Sequence, residues 1–146
     1  MIIQKNDFKN KLFFYLKLKN LVYMRKNNFT IAIVGLGTMG EGITQTIASA
    51  GYPVLIFDIS EKKTKEALIN ISNRLKKLVD KDKISSLKMT KIIENITPVK
   101  NIKDLVRSKL IIESIIEDLT SKQNIFCELE SIISENVILA TNTSSI

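Results

Sequence analysis

Ile31-Ala32-Ile33-Val34-Gly35-Leu36-Gly37-Thr38-Met39-Gly40, running on into Glu41-Gly42-Ile43-Thr44-Gln45-Thr46-Ile47-Ala48, is the stretch that decides the fold. A short β-branched run breaks into Gly-x-Gly-x-x-Gly, and a segment of helical character begins at once; only in that context do the three glycines carry meaning. A parallel sheet would bury Ile31, Ile33 and Val34. Gly35 then makes the tight turn out of the strand, Gly37 lets the backbone approach a pyrophosphate, and Gly40 lets the helix lie close to the strand. Leu36, Thr38 and Met39 complete the same phosphate-facing loop. The N-terminus of the new helix offers unpaired N–H groups and a partial positive charge to an anion.

A second apolar run, Val54-Leu55-Ile56-Phe57, follows the helix and ends in Asp58. A carboxylate there accepts the ribose hydroxyls of an adenosine and repels a 2′-phosphate. The competing reading is a glycine-rich turn with no ligand. Strand, turn, helix, strand and acid in that order favour a dinucleotide site, with NAD preferred over NADP.

At 146 residues the chain is long enough for one domain with a real core. Its hydrophobic fraction of 45% and charged fraction of 25% are those of an ordinary soluble globular protein. No apolar run approaches the roughly 18–20 residues of a membrane span. The single cysteine, Cys127, excludes an internal disulfide and points to a reducing compartment, so the expected location is the cytoplasm. Histidine is absent, which excludes imidazole acid–base chemistry and histidine metal sites from these residues.

The net charge of +7 is concentrated at the N-terminus. Residues 1–29 hold seven basic side chains (Lys5, Lys9, Lys11, Lys17, Lys19, Arg25 and Lys26) against Asp7 alone, while the remainder is close to neutral. An electrostatic footprint for nucleic acid is therefore missing from the domain itself. We divide the chain into a basic leader, residues 1–28, disordered or weakly helical, and a domain spanning residues 29–146. A secretory signal does not fit the leader, which has no long apolar core and no small-residue cleavage site. A mitochondrial presequence fits its scarcity of acids but not its scarcity of arginine and lack of serine, and would place the protein in the matrix. A membrane-surface helix is a further alternative. The reading we favour is that translation starts at Met24 and residues 1–23 have no role.

Beyond Asp58 the elements alternate. Ser60 is a plausible N-cap, and Ala67, Leu68, Ile71, Leu75, Leu78 and Val79 recur at helical spacing from Glu61 to Asp80, with lysines on the opposite, solvated face. A weaker helical pattern runs from Ile84 to Asn95 through Leu87, Ile92 and Ile93. Ile96 to Val99 reads as a short strand, with Pro98 tolerable toward an edge. Asn101 to Val106 is a helical turn or two, and Leu110 to Ile116 a buried strand running into Glu117 and Asp118. Thr120 to Ser134 is an amphipathic helix with Ile125, Phe126, Leu129, Ile132 and Ile133 inward and an inert Cys127; Val137 to Ala140 is a last strand. The expected architecture is α/β, a Rossmann-type doubly wound parallel sheet with the strands ordered 96–99, 53–58, 30–34, 110–116, 137–141. Ligands bind such sheets at the carboxyl ends of the strands, where the loops Gly35 to Gly40, Asp58 onward, Ser114 to Asp118 and Thr141 to Ser145 meet. An exposed apolar face is expected along Val137 to Ala140, an edge prone to pairing.

Three blocks then carry a family resemblance: Gly-Leu-Gly-Thr-Met-Gly-Glu-Gly-Ile (35–43), Ile-Ile-Glu-Ser-Ile-Ile-Glu-Asp-Leu-Thr-Ser-Lys (111–122) and Ala-Thr-Asn-Thr-Ser-Ser-Ile (140–146). Residues 29–146 resemble the NAD-binding domain of the 3-hydroxyacyl-CoA dehydrogenases, and are most similar to bacterial 3-hydroxybutyryl-CoA dehydrogenases. The resemblance implies that Asp58 holds the adenosine ribose, that Glu117 binds the ribose on the nicotinamide side, and that Lys122 helps to place the cofactor. It further implies that Asn142 lies beside the nicotinamide, and that Ser144 hydrogen-bonds the substrate's 3-oxygen and the catalytic base. Lys81 resembles positions that meet the CoA phosphates. Taken without the resemblance, Glu117 and Lys122 read as a surface acid and a helix-face base, and Ser144 as a loop-capping hydroxyl.

In the family the base is a histidine shortly after the Asn-Thr-Ser-Ser segment, and a helical C-terminal domain encloses the acyl chain and makes a dimer. This chain stops at Ile146, before that histidine and before the helical domain. The expectation is weak NAD binding and little or no turnover. The implied reaction is hydride transfer between NAD and C3 of a short 3-hydroxyacyl-CoA, in fatty-acid or butanoate metabolism. The alternatives are an inactive dinucleotide-binding module on the same fold and a 3-hydroxyisobutyrate-type dehydrogenase; Asp58 and the second block argue against the latter.

Overall fold

β1 (Ile31–Val34) is buried along its whole length and lies in the middle of a five-stranded sheet. The computed structural model describes residues 29–142, so the leader of residues 1–28 and Ser144 lie outside the described residues. β1 pairs in parallel with β2 (Val54–Phe57) on one side and β4 (Leu110–Glu113) on the other. β3 (Ile96–Pro98) and β5 (Ile138–Thr141) form the edges, giving the order β3-β2-β1-β4-β5. This is the expected Rossmann-type order, and Pro98 sits on an edge strand, where a missing N–H is tolerated.

Alternation along β1 divides the core in two. Ile31 and Ile33 face α1 (Thr38–Ser49), α2 (Glu61–Asp80) and α3 (Ser86–Glu94), packing with Ala48, Ile71, Leu75 and Ile92. Ala32 and Val34 face a 3-10 turn (Ile102–Arg107) and α4 (Leu119–Ile132), packing with Leu105, Ile111 and Leu129. A strand covered on both faces is continuously apolar for this reason. Across α1 and α2, Glu41 accepts from Arg74 Nη1 at 2.7 Å and Asn70 Nδ2 at 2.8 Å, fixing the two helices against each other.

Helix starts follow side-chain caps. Ser60 Oγ accepts from Lys63 N at α2, Ser85 Oγ from Lys88 N at α3, and Asp118 Oδ2 from Ser121 N at α4. Each satisfies an amide that the helix leaves unpaired. The N-cap of α1 is Gly37, which supplies no such acceptor.

Three expectations shift. The strand read as Leu110 to Ile116 ends at Glu113. Gly35 turns β1 away at this level, so Ser114 N makes one last bond to Val34 O and the following backbone has no neighbouring strand to pair with. Ile115 N instead donates to the Glu113 side chain, and Ile116 is exposed. In α3, Leu87 turns outward while Ile92 is buried. At the outer edge Ile138 is 59% exposed, but Val137 and Leu139 pack against the second core, so the apolar face expected there is only partly open.

Candidate functional site

The loop leaving β1 is shaped by two close approaches. Gly35 has φ +93° and donates its N–H to Phe57 O at 2.9 Å; a Cβ on it would stand 2.6 Å from Ser114 O. That conformation and that contact both require glycine. A Cβ on Gly40 would strike the Gly35 carbonyl oxygen, so α1 can close on the loop only with glycine there. Gly37 differs: it has an ordinary φ of −75°, and a Cβ on it would meet no protein atom within 4 Å. It borders a cleft of about 690 Å³, within the range of roughly 300–1,000 Å³ typical of small-molecule sites.

Asp58 closes one side of this cleft. Its Oδ2 accepts from Leu36 N at 2.9 Å and its Oδ1 from Ser60 N at 2.9 Å. The carboxylate that ends β2 is thus tied to the glycine loop before any ligand arrives. Ile59, 96% exposed, and Lys63 flank it.

The opposite side is built around a buried carboxylate. Glu113, 0% exposed at the end of β4, accepts four hydrogen bonds. Lys122 Nζ donates to both its oxygens, at 2.8 and 2.9 Å, Ile115 N to Oε1 at 2.6 Å, and Thr141 Oγ1 to Oε2 at 2.7 Å. The backbone carbonyl of Glu113 accepts from Asn142 N at 2.8 Å. Lys122 Nζ also stands 3.4 Å from Glu117 Oε2. Burial works to lower the Lys122 pKa, but hydrogen bonds and charge from Glu113, then Glu117, outweigh it and hold the ammonium above the ordinary lysine range. Asp118, exposed at the start of α4, is held below the ordinary carboxylate range by the Ser121 hydroxyl and then the Ser121 amide.

Comparison with known proteins identifies this arrangement. A family model described as "3-hydroxyacyl-CoA dehydrogenase, NAD binding domain" matches residues 30–146. The chain belongs to this family. It is 37% identical over 116 residues to a 3-hydroxybutyryl-CoA dehydrogenase of Clostridioides difficile, a match covering 80% of this chain and 41% of that protein. It is 36% identical over 123 residues to a 3-hydroxyadipyl-CoA dehydrogenase of Escherichia coli, covering 84% of this chain and 26% of the relative. Among solved structures it resembles an (S)-3-hydroxybutyryl-CoA dehydrogenase from Ralstonia eutropha, with a TM-score of 0.78 and 34% identity over 80% of this chain and 41% of that one. The chain thus spans less than half the length of these relatives.

As a 3-hydroxyacyl-CoA dehydrogenase domain, its cofactor is NAD. The residues present fit that group. Among the described helices α1 is the one without a side-chain cap, so its first amides are left for an anion, and Gly37 leaves open space beside them. Gly35, Leu36, Gly37, Thr38, Met39, Asp58, Glu117 and Asn142 all line the one cleft, and Gly40 lies just beneath it.

Two expected site residues sit elsewhere. Lys122 is buried behind the cleft with its ammonium engaged by two carboxylates, and it is absent from the cleft lining. It is therefore not the exposed helix-face base of the bare sequence reading. Lys81 is exposed at the C-terminal end of the 20-residue α2, a helix that starts at the cleft, and so lies about 30 Å along the axis from it. Ser144 is outside the described residues. The sequence reading overlooked Glu113, although an acid inside the run Leu110 to Ile116 is itself a signal, because a buried charge needs a partner. Ser121, Asn124 and Glu128 of α4 also line the cleft, and helix-face polar residues give no such signal.

Proposed function

We propose that this chain is the cofactor half of a 3-hydroxybutyryl-CoA-type dehydrogenase acting on short 3-hydroxyacyl-CoA substrates. One observation carries this reading: Asp58 and Glu117, a carboxylate for each ribose, line the same cleft as the glycine loop. NAD supplies hydride acceptance and donation. The amides at the start of α1 take its phosphates, Asp58 selects the unphosphorylated adenosine ribose, and Glu117 takes the second ribose. Asn142 is assigned to the nicotinamide end, with Ser144 beyond it at the substrate's 3-oxygen. Lys81, far along α2, suits only the remote end of an elongated ligand such as CoA.

The 146 residues hold no histidine, and the proposal assigns the proton at the 3-oxygen to a group outside them. Fatty-acid or butanoate metabolism in the cytoplasm, and assembly as a dimer through further residues, complete the proposal. Among the described residues no helix is long and apolar enough to cross a membrane.

The chain has no tryptophan, so the cofactor's own fluorescence reports binding cleanly. Titration with NADH is expected to saturate, with NADPH binding far more weakly. Acetoacetyl-CoA is expected to leave the bound NADH unoxidised, whereas turnover at the rate of a longer relative would overturn the assignment of proton transfer to other residues. A second reading, a binding module without chemistry, rests on the same lack of histidine. It gains if the coding frame beyond codon 146 contains no His-Phe-Phe-Asn-Pro-like segment.

A further inference from the structure

The buried group around Glu113 is not explained by cofactor contact. Glu113 is fully buried and does not line the cleft, and neither does Lys122. Burying such a pair has a desolvation cost that Coulombic attraction often only matches, so stability is a weak reason for it. Its connectivity is more informative. The four hydrogen bonds to the Glu113 carboxylate come from three places: the loop after β4 through Ile115 N, helix α4 through Lys122, and the end of β5 through Thr141. Two residues that do line the cleft are tied to this hub at one remove, Glu117 through Lys122 and Asn142 through the Glu113 backbone carbonyl.

We propose that Glu113 is the positioning residue of the Glu117–Asn142 side of the cleft, fixing the loop after β4 and the end of β5 in one arrangement so that this side is formed before the cofactor enters. Lys122 acts through the same hub: held between two carboxylates, its ammonium sets where Glu117 points. The adenosine side is organised by its own hydrogen bonds, from Leu36 N and Ser60 N to Asp58, and none of these reaches the Glu113 carboxylate. Preorganisation of this kind lowers the ordering cost of binding, and it acts only on the ligand portion seated there. The inference rests on the NAD reading above, and it divides the cleft into two halves that can be perturbed independently.

The test compares NADH with ADP, which carries only the adenosine and phosphate portion, on the 146-residue chain and its Glu113→Gln and Thr141→Val variants. Glu113→Gln keeps the shape and removes the charge. It is expected to weaken NADH by about tenfold or more while ADP affinity stays within about twofold. Thr141→Val removes one neutral arm at an exposed position and is expected to weaken NADH by about threefold, again sparing ADP. Equal loss of both ligands would mean a general structural role and would overturn the proposal, as would NADH binding unchanged in Glu113→Gln. Should Glu113→Gln fail to fold, Thr141→Val decides alone: selective NADH loss supports the proposal and no loss overturns it. A parent chain that binds neither ligand defeats the NAD reading itself, and the proposal with it.

Discussion

Leu36 donates its backbone N–H to Asp58 Oδ2 at 2.9 Å, joining the loop after β1 to the acid after β2 across 22 positions of sequence. Since Ser60 N occupies the other oxygen, the carboxylate is held at the cleft wall with lone pairs left over for sugar hydroxyls. Replacing Asp58 by Ala should weaken NADH by about tenfold to a hundredfold, the range expected for lost hydrogen bonds to a charged group. NADPH should lose less, because the repulsion of its 2′-phosphate disappears together with the contacts. Fluorescence titration with both cofactors measures the ratio; an unchanged ratio would remove Asp58 from the sugar.

The glycines separate stability from binding. Gly40→Ala forces a Cβ onto the Gly35 carbonyl and should cost about 1–3 kcal/mol, read as a lowered urea midpoint. Gly37→Ala meets no protein atom, and its φ of −75° suits alanine, so stability should change by less than about 0.5 kcal/mol. NADH affinity should nevertheless fall. Equal stability loss in both variants would contradict the difference in their surroundings.

Lys122→Met leaves Glu113 buried without its cation and should destabilise the domain by about 3–5 kcal/mol. The double change Glu113→Gln with Lys122→Met removes both charges and should recover most of that loss. Urea unfolding of the two single variants, the double variant and the parent gives the coupling directly.

Stability should respond to alkali through Lys122. Its folded pKa lies above the ordinary value, so its contribution is complete below about pH 10.4, the value expected in the unfolded chain, and is lost as pH rises through the folded value. The double variant should lack this alkaline decline. Asp118 acts in the opposite sense: its pKa is lowered, so its contribution is present above the ordinary carboxylate value of about 3.9 and fades as pH falls through the folded one. Denaturant midpoints between neutral pH and about pH 11 test the first expectation, and midpoints in acid test the second.

The side of the cleft assigned to the adenosine was legible because it is local. Strand, glycine turn, helix, strand and acid follow one another within residues 31–58, and each has a residue type that its geometry demands. The other half was legible only as a family pattern. Glu117 and Asn142 carry no spacing signal of their own, and Lys122 reads on the helix surface as one more lysine.

Sequence alone determined the order of strands and helices, the cap at Ser60, and the glycine loop, since periodicity, capping and steric demand act between near neighbours. Tertiary structure alone decided what Lys122 does, where β4 stops, and that Thr141 meets Glu113. Those contacts depend on the register that sets Glu113 beside both Val34 and Thr141, and on α4 folding back over the strand ends. A buried charge must find its partner wherever the sheet brings one, and that distance in space is not written in the distance along the chain.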